Sequence, residues 1–291
     1  MQIPEQFDAP GEMRVFFSRF PELFKEWKGR EFFETALKPG HMLGNYLYCQ
    51  EHEPIKTFKP NLPQSLLFYG LNKHKEMPRV LMLEGANKTG KSTGGVAWQI
   101  AMAVGFYPWL EPAFLNGDYL DNFEWSRNWK MHRVILNYCG FETYKELQEK
   151  HFWLRGDKGG AVKALKVPNV NLAIGETYTE SVEKDLVPKY IGGPGTKGLI
   201  PKSWKPKTKK NQQGVVSRIT LEAGPGKGSI FYFRSYKSPA NEFEGIDVSG
   251  SILFNEPPPE DIVTSVLRGA LPYDTRSMFA YTALTQPWLY R

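Results

Sequence analysis

Short apolar runs alternate with amphipathic stretches along this chain, and the alternation predicts strands that are separated by helices. The runs that predict buried strands are RVLMLEG, VNLAIGE, GSILFNE and SMFAYTAL. Helical patterns lie at KSTGGVAWQIAMAVG, which is expected to end at Gly105, and at TESVEKDLVPKY. SRITLEAG and SIFYFRSY predict a β-hairpin. Strands that alternate with helices predict an α/β fold with a mostly parallel sheet flanked by helices.

Two stretches depart from this alternation. Residues 1–60 carry aromatic side chains at three- and four-residue steps, interrupted at Pro21, and predict a helical N-terminal extension to a core over 61–291. Residues 191–214 have no apolar periodicity and are rich in glycine, proline and lysine, so we predict a mobile surface loop there.

A phosphate-binding motif follows the first predicted core strand. Residues 85–92, GANKTGKS, fit the pattern G-x-x-x-x-G-K-[ST] at every fixed position. The glycines let the backbone approach phosphate oxygens closely, and the helix that begins near Lys91 adds the positive end of its dipole. Lys91 is expected to reach the β- and γ-phosphates, and Ser92 to bind Mg²⁺. The alternative is a glycine-rich strand-to-helix turn with an incidental lysine.

A second apolar strand ends in polar residues that suit a hydrolytic site. Asn255 and Glu256 follow the apolar residues 251–254 and precede three prolines. A carboxylate at Glu256 can orient an attacking water and accept its proton. The alternative is that Glu256 only occupies a polar turn after a core strand.

Positive charge is concentrated in one region of the chain. The net charge is +6, and residues 155–218 hold 13 Lys/Arg against 5 Asp/Glu. Such a region suits a polyanion, although a solvated basic loop is the alternative. The candidates for contact with DNA phosphates or with a neighbouring subunit surround Trp204: Lys202, Lys205, Lys207, Lys209 and Lys210.

The chain begins without a signal-peptide pattern, and none of its apolar runs approaches the ~18 residues of a membrane span. Its two cysteines, Cys49 and Cys139, lie far apart in sequence and are interpreted as reduced thiols. These features favour a protein of a reducing cytoplasm.

Four stretches, in order, resemble the ATPase half of the phage terminase large subunit, the motor that packages viral DNA. They are LEGANKTGKST, AVGFYPWLEP, IFYFRSYKSPANEFEGIDVSGSILFNEPPPEDI and YTALTQP, within residues 60–291. The resemblance implies a RecA-like P-loop ATPase fold, the cofactors ATP and Mg²⁺, and work in the host-cell cytoplasm. It also implies partners: double-stranded DNA, the portal protein, the small terminase subunit and further copies in a homo-oligomeric ring.

The resemblance also implies roles for single residues. Lys91 and Glu256 become catalytic, and Thr285 and Gln286 sense the γ-phosphate or couple hydrolysis to movement. Gln64 reads adenine, and residues 1–60 form the helical extension or an adenine-side subdomain. The implied nucleotide contacts are Gly85, Ala86, Asn87, Lys88, Thr89, Gly90, Lys91, Ser92 and Thr93, and the candidates for an arginine donated in trans are Arg234, Arg268 and Arg276.

Two features depart from the family pattern. Asn255 stands where the family usually has aspartate, so its expected contact to Mg²⁺ carries no charge. The sequence ends at Arg291 without the acidic cluster of a nuclease domain, and we expect no nuclease activity from it. Two alternatives remain: another RecA-like ATPase of the helicase or recombination type, and a nucleotide-binding assembly protein with little hydrolysis, which Asn255 favours.

Overall fold

The computed structural model describes residues 49, 51–58, 60–70, 77–86, 89–110, 166–239 and 241–282. Several predicted features lie outside these residues. They are most of the N-terminal extension over 1–60, two residues of the phosphate loop, Asn87 and Lys88, and the two residues assigned to coupling, Thr285 and Gln286.

The described residues form a single seven-stranded sheet. Its strands are β1 (Val80–Glu84), β2 (Val170–Gly175), β3 (Pro206–Lys210), β4 (Val216–Leu221), β5 (Ile230–Ser235), β6 (Ser251–Asn255) and β7 (Arg276–Tyr281). The order across the sheet is β1-β7-β6-β2-β5-β4-β3. The first five strands in that order run parallel, and the β5–β4 and β4–β3 pairs are antiparallel. The predicted α/β fold with a mostly parallel sheet is confirmed, as is the β4–β5 hairpin.

Helices connect the strands. They are α1 (Leu62–Tyr69), α2 (Lys91–Val104), α3 (Val187–Ile191), α4 (Asn241–Glu244) and α5 (Glu260–Ala270), and a π-helical segment, Tyr178–Leu186, leads directly into α3. Helix α2 ends where predicted, because Gly105 adopts a φ of 80° that glycine reaches without strain. None of the helices within the described ranges has the length and apolar character needed to cross a bilayer.

Side chains on the two faces of the sheet build two hydrophobic cores, as expected for a sheet flanked by helices. On one face α2 packs its buried side, including Trp98, against Leu253 and Phe231. On the other face the strand residues Phe254 and Phe279 stack at 4.5 Å and pack with α5. The central strands are covered on both faces, which explains why their sequences are continuous apolar runs.

The predicted mobile loop over 191–214 is wrong for residues 206–210, which form β3. This strand pairs with β4 and is exposed along most of its length, so its order comes from backbone hydrogen bonds and not from apolar alternation. The preceding Trp204 is only 4% exposed. A Cβ atom added at Gly224 would lie 2.4 Å from Trp204 Cδ1, so a glycine is required where this indole packs.

Candidate active site

The ammonium group of Lys91 contacts the start of the phosphate loop. Strand β1 ends at Glu84 and α2 begins at Lys91, as the motif predicts. Lys91 Nζ and Thr89 Oγ1 each donate to the Ala86 carbonyl at 2.8 Å. The first N–H groups of α2 lack partners within the helix, so this end presents an ammonium group and backbone donors together. The arrangement suits a bound phosphate chain.

Helix α1 braces this loop through Gln64. Asn61 and Gln64 form a reciprocal cap, in which each backbone N–H donates to the other residue's side chain. Gln64 Nε2 donates to the Gly90 carbonyl at 2.9 Å, and a Cβ atom added at Gly94 would lie 2.5 Å from the same nitrogen. Beyond these hydrogen bonds, the Gln64 amide has one further N–H and one further lone pair with which it could bind a base. Adenine recognition by Gln64 stays a prediction.

Helix α2 packs against β6, the strand that ends in Asn255. Gln99 Nε2 donates to the Ser251 carbonyl at 3.3 Å, and a Cβ atom added at Gly95 would lie 2.6 Å from Leu253 Cδ1. Four residues of helix and two of strand each advance about 6 Å, so we expect the next step to bring Asn255 near Lys91 at the start of α2.

The side-chain oxygen of Asn255 is a candidate ligand for a metal ion. Asn255 is 4% exposed, and its buried Oδ1 accepts no hydrogen bond. The described residues hold no cluster of three or more His, Cys, Asp or Glu suited to a metal. Magnesium at a nucleotide needs only one or two protein oxygens, because phosphates and waters supply the remainder. The unpartnered Asn255 Oδ1 therefore fits an Mg²⁺ ion bound with nucleotide, and the pairing of Ser92 with Asn255 as its protein ligands stays a prediction.

Glu256 leaves the strand in a left-handed conformation. Its φ is 70°, which an L-residue with a long side chain rarely adopts. The backbone N–H still donates to the Ala280 carbonyl of β7 at 3.0 Å. The Oε2 atom accepts the Thr282 N–H at 3.1 Å, so the carboxylate lies at the carboxyl end of β7.

A single peptide unit joins Glu256 to the phosphate loop. The Tyr281 carbonyl accepts the Gly85 N–H at 3.2 Å, and the Thr282 N–H of the same peptide donates to Glu256. This peptide lies at the end of β7, the strand that lies between β1 and β6 in the sheet. Because a peptide unit is planar, the first residue of the loop and the carboxylate are held in a fixed relation.

Tyr236 also reaches the Glu256 turn, a contact that the sequence did not predict. Its single hydroxyl proton is shared between the Glu256 carbonyl at 2.8 Å and the Asn255 carbonyl at 3.2 Å. Burial raises the pKa of the Tyr236 hydroxyl well above its ordinary value, and the charges of Glu256 and Glu176 raise it further. The hydroxyl therefore stays a donor at any working pH. The only signal in the sequence was an aromatic residue at the end of the predicted strand SIFYFRSY.

The three candidate arginines differ in exposure. Arg268 is exposed on α5, whereas Arg234 is partly buried and donates to its neighbour's carbonyl. Arg276 is 3% exposed and forms a two-pronged ion pair with Asp274 at the amino end of β7, opposite the phosphate loop. A residue that acts on a neighbouring subunit must be accessible, which favours Arg268 among the three.

The five candidate lysines do not join the nucleotide site. Lys202, Lys205, Lys207, Lys209 and Lys210 are all exposed and lie on β3 or the turn before it. Strand β3 forms one margin of the described sheet and β1 the other. If these lysines bind a polyanion, they do so at a surface separate from the phosphate loop.

Comparison with known proteins gives one structural likeness. No family model matches the chain, and no curated protein matches it. A solved structure of a mutant ATPase domain of the large terminase from Thermus phage P74-26 is similar, with a TM-score of 0.42 and 9% sequence identity. The match covers 81% of this chain and 70% of that chain. Likeness at this level does not assign an activity, and the functional argument rests on the site itself.

Proposed function

We propose that the chain is an ATPase of viral DNA packaging, a terminase large-subunit motor that hydrolyses ATP to translocate double-stranded DNA into procapsids. The observation that carries the proposal is the peptide between Tyr281 and Thr282, which ties the phosphate loop to the Glu256 carboxylate. The ordered resemblance of four motifs supports the packaging role and its partners, the portal protein, the small subunit and a homo-oligomeric ring.

The described side chains divide the work of hydrolysis. Lys91 and the backbone donors of the loop bind the β- and γ-phosphates and stabilise charge on the transferring phosphoryl group. Ser92 and Asn255 would hold Mg²⁺, which neutralises charge on the same oxygens. Glu256 orients a water and accepts its proton as the water oxygen bonds to the γ-phosphorus and the bond to the ADP oxygen breaks.

Coupling to movement is assigned to the segment that follows β7. Thr282 binds Glu256 through its N–H and lies only three residues before Thr285. We assign Thr285 and Gln286 to sensing the γ-phosphate. In sequence they follow Thr282, whose N–H binds the Glu256 carboxylate, the group proposed to act on the water that attacks this phosphate.

The face of β3 and β4 that bears Lys207, Lys209 and Arg218, which we call the basic face, is proposed to contact duplex DNA. Lys209 lies directly opposite Arg218 in the antiparallel register, whereas Ile219 points into the core on the other side. Like charges opposite each other destabilise a strand pair, and a bound phosphate backbone relieves that repulsion. The surrounding lysines, Lys202, Lys205 and Lys210, extend the same positive region.

The first test of this function is the rate of ATP hydrolysis with and without duplex DNA. We expect duplex DNA to stimulate the rate, and the double variant Lys209→Gln, Arg218→Gln to lose stimulation while basal hydrolysis is unchanged. Fluorescence anisotropy should show that the slope of log K against log salt falls by about 2, since each phosphate contact contributes about 0.9.

Arg79→Gln is the control for this variant, because Arg79 is exposed directly before β1, at the opposite margin of the described sheet from β3, and pairs with Asp274. An unchanged salt slope in the double variant would remove the basic face from the proposal. Stimulation by single-stranded DNA alone would favour a recombination-type ATPase instead.

Asn255 favours one second candidate, a nucleotide-binding assembly protein with little hydrolysis. Asn255→Asp separates the two, because a carboxylate attracts Mg²⁺ more strongly than an amide. A packaging ATPase should then reach half-maximal rate at about 5- to 10-fold lower Mg²⁺, on the basis that a charged group adds roughly 1 kcal/mol to such a contact. The measurement is ATPase rate against Mg²⁺ concentration.

Asn211→Asp is the control, since it adds the same charge in a turn where Oδ1 accepts two backbone N–H groups. If the wild-type chain binds ATP without turnover and Asn255→Asp restores hydrolysis, the assembly role is supported. A Mg²⁺ requirement that does not move would place Asn255 outside the metal site.

A further inference from the structure

Tyr236 connects the ends of three neighbouring strands at the candidate active site. It follows β5 directly, and its backbone N–H donates to the Gly175 carbonyl at the end of β2 at 2.9 Å. Its hydroxyl then crosses to β6, where its single proton is shared between the carbonyls of Asn255 and Glu256. The residue is therefore fixed at both its backbone and its hydroxyl.

The Glu256 turn requires an outside contact of this kind. A left-handed conformation is unfavourable for an ordinary L-residue, because its Cβ comes too close to a carbonyl oxygen, and Glu256 adopts it at a φ of 70°. Such strain persists only where surrounding contacts determine the conformation. The Tyr236 hydroxyl contacts the two carbonyls that flank the N–Cα bond of Glu256, the bond about which φ is measured. It therefore stabilises the left-handed conformation of the turn over an extended one.

The direction of the Glu256 side chain depends on that turn. In a regular strand, successive side chains point to opposite faces of the sheet, and an extended Glu256 would continue the alternation. The left-handed residue instead places Oε2 against the Thr282 N–H at the end of β7, next to the phosphate loop. A change of backbone conformation at Glu256 would therefore move the carboxylate away from the reacting water.

We propose that Tyr236 is a positioning residue for hydrolysis, whose hydroxyl holds the Asn255–Glu256 turn so that the carboxylate faces the phosphate loop. The inference rests on the proposed function, because it assigns Glu256 as the base. Tyr236 acts through Glu256 and does not itself contact the nucleotide.

The test is Tyr236→Phe, which keeps the ring and removes only the hydroxyl. We expect kcat for ATP to fall about tenfold, because a small misplacement of a catalytic group costs one to two orders of magnitude. The KM and the Kd of a fluorescent ATP analogue should stay within twofold of wild type. Tyr232→Phe is the matched control, since Tyr232 packs against the same core and no hydrogen bond of its hydroxyl is described; its kcat should be unchanged.

A double variant separates positioning from a general structural role. In a Glu256→Gln background, Tyr236→Phe should produce no further loss of residual hydrolysis, because the group that it positions is already absent. Equal losses in both backgrounds, or a kcat within twofold of wild type in the single variant, would overturn the inference. So would a parallel loss of nucleotide affinity and of the thermal unfolding midpoint, which indicates a disrupted core.

Failure of the proposed function gives a different result. If the wild-type chain does not hydrolyse ATP with or without DNA, the assignment of Glu256 as a base falls, and the role of Tyr236 falls with it. If wild type hydrolyses ATP and Glu256→Gln does not, while Tyr236→Phe matches wild type, only the positioning role is lost.

Discussion

Glu256→Gln lowers the rate of ATP hydrolysis by roughly 10²- to 10⁴-fold, the range that general base catalysis contributes, while ATP remains bound. The amide keeps the shape of the side chain, and its oxygen still accepts the Thr282 N–H. It cannot take a proton from water at neutral pH. Steady-state phosphate release and binding of a fluorescent ATP analogue, measured on the same preparation, check both halves of the expectation.

The control for that variant is Glu260→Gln, four residues further along the chain. Glu260 is exposed in the first turn of α5. Loss of its charge weakens its interaction with the helix dipole and removes no contact of the candidate active site. Its hydrolysis rate should equal that of wild type. If Glu256→Gln keeps more than about a tenth of wild-type activity, the loss is far smaller than that expected for a lost base. Another group would then act as the base, and Glu176 at the end of β2 is the next candidate.

Lys91→Ala weakens ATP binding by about 10- to 100-fold, since a hydrogen bond to a charged group contributes about 1.5–3 kcal/mol. Turnover at saturating ATP also falls, because the ammonium group stabilises charge that develops on the phosphoryl oxygens. The same substitution removes the bond from Nζ to the Ala86 carbonyl, so the loop itself becomes less well defined. Calorimetric titration with ATP and Mg²⁺, followed by a hydrolysis assay, measures both effects.

Lys227→Ala is the matched control for Lys91→Ala. Lys227 is exposed in the turn between β4 and β5. A Cβ atom added at the adjacent Gly226 would lie 3.0 Å from Val104, the last residue of α2, so this turn lies at the opposite end of α2 from Lys91. ATP affinity should be unaffected by this change. Equal ATP affinity in Lys91→Ala and wild type would show that the glycine-rich loop is a strand-to-helix turn with an incidental lysine.

The parts of this molecule that were predictable from sequence depend on local patterns. The apolar run of β1, the glycines at 85 and 90 and the lysine at 91 lie within a dozen residues of one another. A strand, a loop and a helix follow from them without knowledge of the rest of the chain. The alternation of such units then predicts the parallel sheet, because parallel strands need crossover connections.

The parts that were missed depend on contacts between distant residues. Strand β3 has no apolar pattern of its own, and its backbone is ordered by β4. Tyr236 touches Glu256 across 20 positions of sequence, and no motif spacing reports the direction of its hydroxyl. The packing of α2 on β6, which brings Gly95 against Leu253, is likewise not revealed by the sequence of either element.

The peptide between Tyr281 and Thr282 has a consequence for timing. The planar peptide unit is hydrogen-bonded to Gly85 on one side and to Glu256 on the other. If it tilts to follow one partner, its hydrogen bond to the other partner is strained. We therefore expect a loop that shifts as phosphate binds or leaves to turn the carboxylate as well. Alignment of the proposed base would then depend on nucleotide occupancy.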